Sequence, residues 1–236
     1  MKNNLSIQYK ALFREELYPR GFSLHKKTFY RVINDVVQTL MLCKTATNFT
    51  IGFSITPLCL PIKDLYCEGY DISALGKRTW WDCWNGVEES VFEEILSLFR
   101  QYVLPFFEHG VDAKTAYHEL VQLEKMIYTD IPSGVIMHNY KFVCLCMKSG
   151  DFEKARHHMA AIVKQNENGH DNTVKEYEKM GNLEARDRYL EQYVPKIRRL
   201  KEELYKISVP DVKYIQELVA QNEAVSLEYL RHPNKL

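Results

Sequence analysis

Hydrophobic and polar positions along this chain fall into two regimes. From Phe22 to Pro57 the period is two. Phe49, Ile51, Phe53 and Ile55 alternate with Thr50, Gly52, Ser54 and Thr56, as in a strand with one face in a core. "TFYRVI" and "VVQTLMLCK" flank Asn34-Asp35, which predicts two more strands joined by a tight turn. Three strands with short connections imply an antiparallel sheet with a face to be covered. Ahead of them, Leu5, Tyr9, Leu12, Phe13 and Leu17 share one side of an amphipathic helix that "PRG" at 19–21 ends.

Residues 57–86, punctuated by Pro57, Pro61, Gly69, Gly76 and Gly86, predict irregular structure with room for one more strand. Beyond them the period is helical. Asn85 followed by Glu88 has the spacing of a capping box. Val87, Val91, Ile95, Leu98, Tyr102 and Phe106 then form a stripe that Phe92, Leu96, Phe99 and Val103 widen, so this helix should be buried on more than one side. Pro105 should kink or end it near residues 101–104. Further helices are predicted at about 112–128, 135–148 and 151–166, with Gly150 closing one and Asp151 capping the next. Leu183, Leu190, Ile197 and Leu204 recur every seven residues, with Tyr193, Leu200 and Ile207 beside them. With Pro195 in their midst, these heptads predict a helical hairpin turned by "SVPD" at 208–211 rather than a coiled coil; a dimer through the seam is the lesser alternative. The expected class is α+β, a small antiparallel sheet of three to five strands packed by helices and followed by an all-helical C-terminal half. Residues 1–129 form the α+β domain and 130–236 a helical extension that could pack on it as one unit.

Charge and motifs remove several function classes. Lys+Arg and Asp+Glu are 31 each, a net charge of zero that lacks the footprint of a nucleic-acid binder. The uncharged run 45–62 is interrupted by five Ser/Thr and two prolines and alternates like a strand, so no membrane span is expected. No signal peptide is visible at the N-terminus, and the expected compartment is the cytoplasm. The six cysteines include no CxxC, and Cys144 and Cys146 diverge on a helix, which predicts free thiols. His157-His158 diverge likewise, His170 is placed beyond a turn, and no HExxH occurs, so no metal is implied. No phosphate-binding loop, dinucleotide fingerprint or G-x-S-x-G elbow is present, and no cofactor is implied. The interleaved acids of "KIRRLKEELYK" at 196–206 make it a solvated helix face.

All three tryptophans lie in "TWWDCWNG", residues 79–86. They are read first as a packing junction beside the helix that follows, with any exposed ring left as a contact surface. Arg78 could stack on one of them or bind an anion.

"GFSLHKKTFYRVINDVVQTLMLCK", "NFTIGFSI", "ALGKRTWWDCWNG" and the helix ending "LPFFE" occur in an order that resembles the bacterial family catalogued as domain of unknown function 4304. The likeness spans roughly residues 5–110 and rests on Gly21-Phe22, Phe29, Gln38, Gly52, Arg78, Trp80-Trp81 and Pro105. It implies an α+β core and no assigned reaction. "GDFEKARHHM" resembles the second-helix start of a tetratricopeptide-type repeat, but without a second copy it implies a lone hairpin over 135–166.

The leading expectation is a non-catalytic module that binds another protein or a small ligand, one form being immunity-like masking of a partner. It would be a monomer or weak dimer. The candidate binding residues are Arg31, Gln38, Lys44, Arg78, Trp80, Trp81 and Trp84. One alternative is a hydrolase with its site between the sheet and the loop 57–86, which requires at least two titratable groups to converge among Arg31, Lys44, Asp64, Cys67, Asp71, Cys83 and nearby histidines. Another is a helical scaffold.

Overall fold

The computed structural model describes residues 5–62, 65, 69–128, 139–209 and 212–231. The chain divides into two compact units, residues 1–136 with 221–236, and residues 137–220.

The first unit begins with helix α1 (Leu5–Leu17), which buries Leu5, Tyr9, Phe13 and Leu17. A single 3-10 turn at Tyr18–Arg20 ends it, with Gly21 in the left-handed region at φ 81°. The sheet follows as a meander: β1 (Ser23–His25), β2 (Thr28–Ile33), β3 (Val36–Lys44) and β4 (Asn48–Pro57), each antiparallel to the one before. Asn34 takes φ 47° in the tight β2–β3 turn, as Asn tolerates. Two further short strands, β5 (Tyr70–Asp71) and β6 (Trp81–Asp82), both pair with β4 and bracket the small helix α2 (Ile72–Leu75). The segment expected to hold one more strand therefore holds two, and the sheet has six.

Helix α3 (Glu89–Leu98) runs through a π-helical turn (Phe99–Val103) into α4 (Leu104–His109). Pro105 neither ends nor breaks this run. Its missing donor falls at the π turn, where the backbone ladder is already loosened. The Asn85 cap is corrected. Glu88 occupies the N-cap position without a side-chain cap, because Gly86 at φ 100° holds Asn85 and Val87 outside the helix. Helix α5 (Ala113–Ile127) does carry a capping box, between Asp112 and Thr115.

The register gives the sheet two distinct faces. Phe29, Gln38, Leu40, Leu42, Phe49, Ile51, Phe53 and Ile55 share the inner face, beside Phe13 against Phe99 at 5.0 Å and Phe53 against Phe106 at 5.5 Å. Apolar burial there is what a half-covered antiparallel sheet requires. The outer face presents Val37, Thr39, Met41 and Cys43 of β3 beside Thr50, Gly52, Ser54 and Thr56 of β4. One end of it is closed by Leu58, Ile62, Leu65, Tyr229 and Leu230. Tyr229 and Leu230 lie in the last turns of α9 (Val212–Arg231). Ser226 of the same helix donates to the Leu58 carbonyl at 2.7 Å and accepts from the Ile62 amide at 3.0 Å.

In the second unit, α6 (Tyr140–Ser149) ends at Gly150, φ 78°, and Asp151 caps α7 (Phe152–Lys179), as the sequence predicts. Helix α7 is longer than the expected 151–166. Its extension is too polar to show a stripe, and it is matched instead by α8 (Leu183–Ser208). His170 is thus helical, with its ring stacked on Tyr189 at 5.4 Å, and not beyond a turn. Helix α8 is continuous through Pro195, and Leu183, Val194 and Tyr205 stay exposed along it. Cys144 and Cys146 are both buried, and burial pushes the Cys146 thiol up to about 12. No helix among the described residues is long and apolar enough to cross a membrane.

Gln38 is fully buried on the inner face. Its amide donates to the carbonyls of Phe107 (2.6 Å) and Gly110 (2.9 Å) and accepts from Arg31 Nε (2.7 Å). Gln38→Leu strands a buried carbonyl and a guanidinium donor, so the expected loss is about 1–3 kcal/mol per stranded group. Urea unfolding monitored by circular dichroism reads it.

Candidate functional site

The seven candidate binding residues do not converge. Arg31 and Gln38 face inward. Besides Gln38, Arg31 donates to the carbonyls of Arg20 (2.8 Å) and Phe107 (3.2 Å), and it lies 5.0 Å over the Phe22 ring. These contacts close the end of α4 onto the sheet, a structural task. Lys44 is exposed at the end of β3. Arg78 pairs with Glu94 at 3.0 Å, and Glu94 also accepts from Trp81 Nε1 at 3.2 Å.

The tryptophans separate by strand alternation. Trp81 is buried on the inner face, 5.8 Å from Phe49. Trp80 points to the outer face and is 37% exposed, while Trp84 is 70% exposed. The junction reading holds for one ring, and two rings remain in contact with water.

Trp80 marks a site that the spacing does not reveal. Thr28, Met41, Gly52 and Asp71 form one cross-strand row over β2, β3, β4 and β5. Around the Asp71 end of that row lies a cleft of about 310 Å³, walled by Thr39, Met41, Cys43, Asp71 and Trp80. Gly52 makes the space. A Cβ there would meet Cys43 Sγ at 3.4 Å and Asp71 Oδ1 at 3.9 Å, so a side chain would fill the gap between thiol and carboxyl. Gly69 approaches the β4 backbone too closely for any side chain and brings the next segment down beside the cleft.

Trp80 Nε1 donates to Asp71 Oδ2 at 3.3 Å, which leaves Oδ1 turned toward the Gly52 gap. Burial pushes the Asp71 carboxyl above its ordinary range, against the lowering effect of that indole bond. Burial pushes the Cys43 thiol up as well, and the charge of Asp71 adds to it; the Gly52 amide and Lys27 oppose the rise. For both groups burial penalises the charged form, opposite to the effect that makes a thiolate nucleophile. Next to Asp71, Tyr70 turns inward and donates to the buried Glu124 at 2.7 Å, which fixes β5 in place.

Of the titratable groups a hydrolase would draw on, the cleft contains Asp71. Asp64 and Cys67 lie outside the described residues. Among the described residues no group of three or more His, Cys, Asp or Glu could hold a metal ion. Cys43 and Thr39 belong to the cleft, but they were legible only as alternate positions of a strand.

Two outcomes are expected. Trp81→Ala costs about 3–5 kcal/mol in chemical denaturation, whereas Trp84→Ala stays within about 0.5 kcal/mol. Asp71→Asn removes the charge that adds to the effect of burial in raising the Cys43 thiol, so iodoacetamide labels Cys43 faster at neutral pH in the variant; peptide mass spectrometry reads the rate. No family model, curated protein or solved structure matches the chain.

Proposed function

We propose that this chain is a non-catalytic binding protein that seats a small ligand in the outer-face cleft, against Trp80 and Asp71. The observation that carries the reading is the Asp71 carboxyl, half-buried, with one oxygen held by Trp80 and the other turned into the cleft. A carboxyl whose charge is penalised by burial gains most from a ligand that brings a donor or a cation. The face of the Trp80 indole beside it suits the same chemistry. An alkylammonium or guanidinium group is the class of ligand head that answers both.

The hydrolase alternative would use this same cleft, between the sheet and residues 57–86. It is disfavoured by the burial that penalises the charged forms of Cys43 and Asp71 and by the lack of a histidine among the described residues that line it. The exposed Trp84 ring favours a second reading, in which the rim near Trp80 anchors a partner protein that the chain masks. The likeness of residues 5–110 to domain of unknown function 4304 supports this assignment of an α+β core and brings no reaction with it.

Tryptophan fluorescence with butylammonium as the probe tests the proposal. Saturable quenching is expected, weakened roughly tenfold in Asp71→Asn, the scale of one charge-assisted hydrogen bond; butanol should give none. Equal response to butylammonium in wild type and Asp71→Asn would overturn it.

A further inference from the structure

The outer face of the sheet carries a second cleft, of about 560 Å³, on the far side of Met41 and Leu65 from Asp71. Its character is opposite. Lys10 of α1 and His25, Lys26 and Lys27 of the β1–β2 hairpin line it, and no carboxylate does among the described residues. The chain as a whole has no net charge, so three lysines around one hollow are a local concentration of positive potential. Among the described residues Lys10, Lys26 and Lys27 enter no ion pair.

The hairpin that presents them is itself strained. His25 pairs with Thr28, which leaves a two-residue turn of Lys26 and Lys27. Lys26 sits at φ 54°, in the left-handed region where glycine or asparagine is the ordinary choice. A lysine at that position gives the turn nothing that glycine would not give better, whereas it places an amine at the mouth of the cleft. The floor is apolar: Met41, Leu65 and Tyr229 line it and are otherwise buried. A bare inorganic ion would leave that floor unused, and a neutral apolar molecule would leave the amines unanswered. The volume falls within the range of small-molecule sites.

We infer that this cleft binds an organic anion, a carboxylate, sulfonate or phosphate monoester on an apolar body, with the anionic head at Lys10, Lys26 and Lys27 and the body on Met41, Leu65 and Tyr229. The inference stands apart from the cleft at Asp71 and uses none of its residues except the shared wall.

The test titrates the full chain with 1-anilinonaphthalene-8-sulfonate by calorimetry and fluorescence. One saturable site is expected, with affinity that falls as salt is raised. Lys26→Gly, which relieves the turn, should fold at least as stably as wild type and bind more weakly. Lys26→Gly with Lys27→Gln should lose roughly tenfold or more, the scale of one or two charge-assisted contacts, while Lys114→Gln on α5 changes nothing. Inorganic phosphate should compete only weakly. Unchanged affinity in the double variant, an equal loss in Lys114→Gln, or phosphate binding as tight as the sulfonate would each overturn the inference. Butylammonium titration of the same variants keeps the two clefts distinct, because the lysine changes leave the Asp71 response intact whichever way the anion result falls.

Discussion

A helix that ends inside a protein leaves backbone carbonyls that must find donors, and the end of α4 meets that demand with a strand side chain. The Gln38 amide serves Phe107 and Gly110, and Arg31 adds a third donor from the neighbouring strand. The inner core depends on this joint. Phe106 and Phe107 are held against the sheet only if α4 stops where Gln38 can reach it, and a Cβ at Gly110 would run into Ile55. Two residues that read as ligand contacts in a sequence are here polar anchors of a core, since a buried amide must be fully satisfied to be tolerated at all.

The inner face is committed to packing, and the clefts lie on the outer one. Apart from Val37 and Met41, the outward positions of β3 and β4 are polar or small, with Thr39, Cys43, Thr50, Gly52 and Ser54 among them. Two clefts of opposite charge flank the Met41–Leu65 wall on that face, one with a carboxyl under an indole and one with a ring of amines. The cleft at Asp71 is made by strand register and the Gly52 gap, and the other by the short β1–β2 turn beside Met41.

The α+β class was legible because periodicity of two is strong wherever one face is buried, and the β2–β3 hairpin was legible because Asn34-Asp35 carries turn chemistry. Gly150 and Asp151 were legible for the same local reason. The site was not. Asp71 meets Gly52 and Cys43 through strand pairing between residues distant in sequence, and nothing in the spacing of Cys43 and Asp71 encodes that meeting. Helix α7 overran its expected end because "KQNENGHDN" shows no apolar stripe. The Asn85 cap failed because a local match was overruled by the left-handed Gly86, while the turn before it is pinned by Asp82 accepting from the Trp84 amide at 2.7 Å.

Ser226 hydrogen-bonds to Leu58 and Ile62 from more than 160 positions away. On a ribosome that produces the chain from its N-terminus, the meander is complete long before the helix that closes one end of its outer face emerges. For that interval Val37, Leu58 and Ile62 have no Tyr229 or Leu230 to bury them. Such an exposed apolar surface on a nascent chain is a natural client for a holding chaperone. Closure over so long a loop is also entropically slow to nucleate. The outer face, where both clefts lie, should therefore be the last part of the sheet unit to mature.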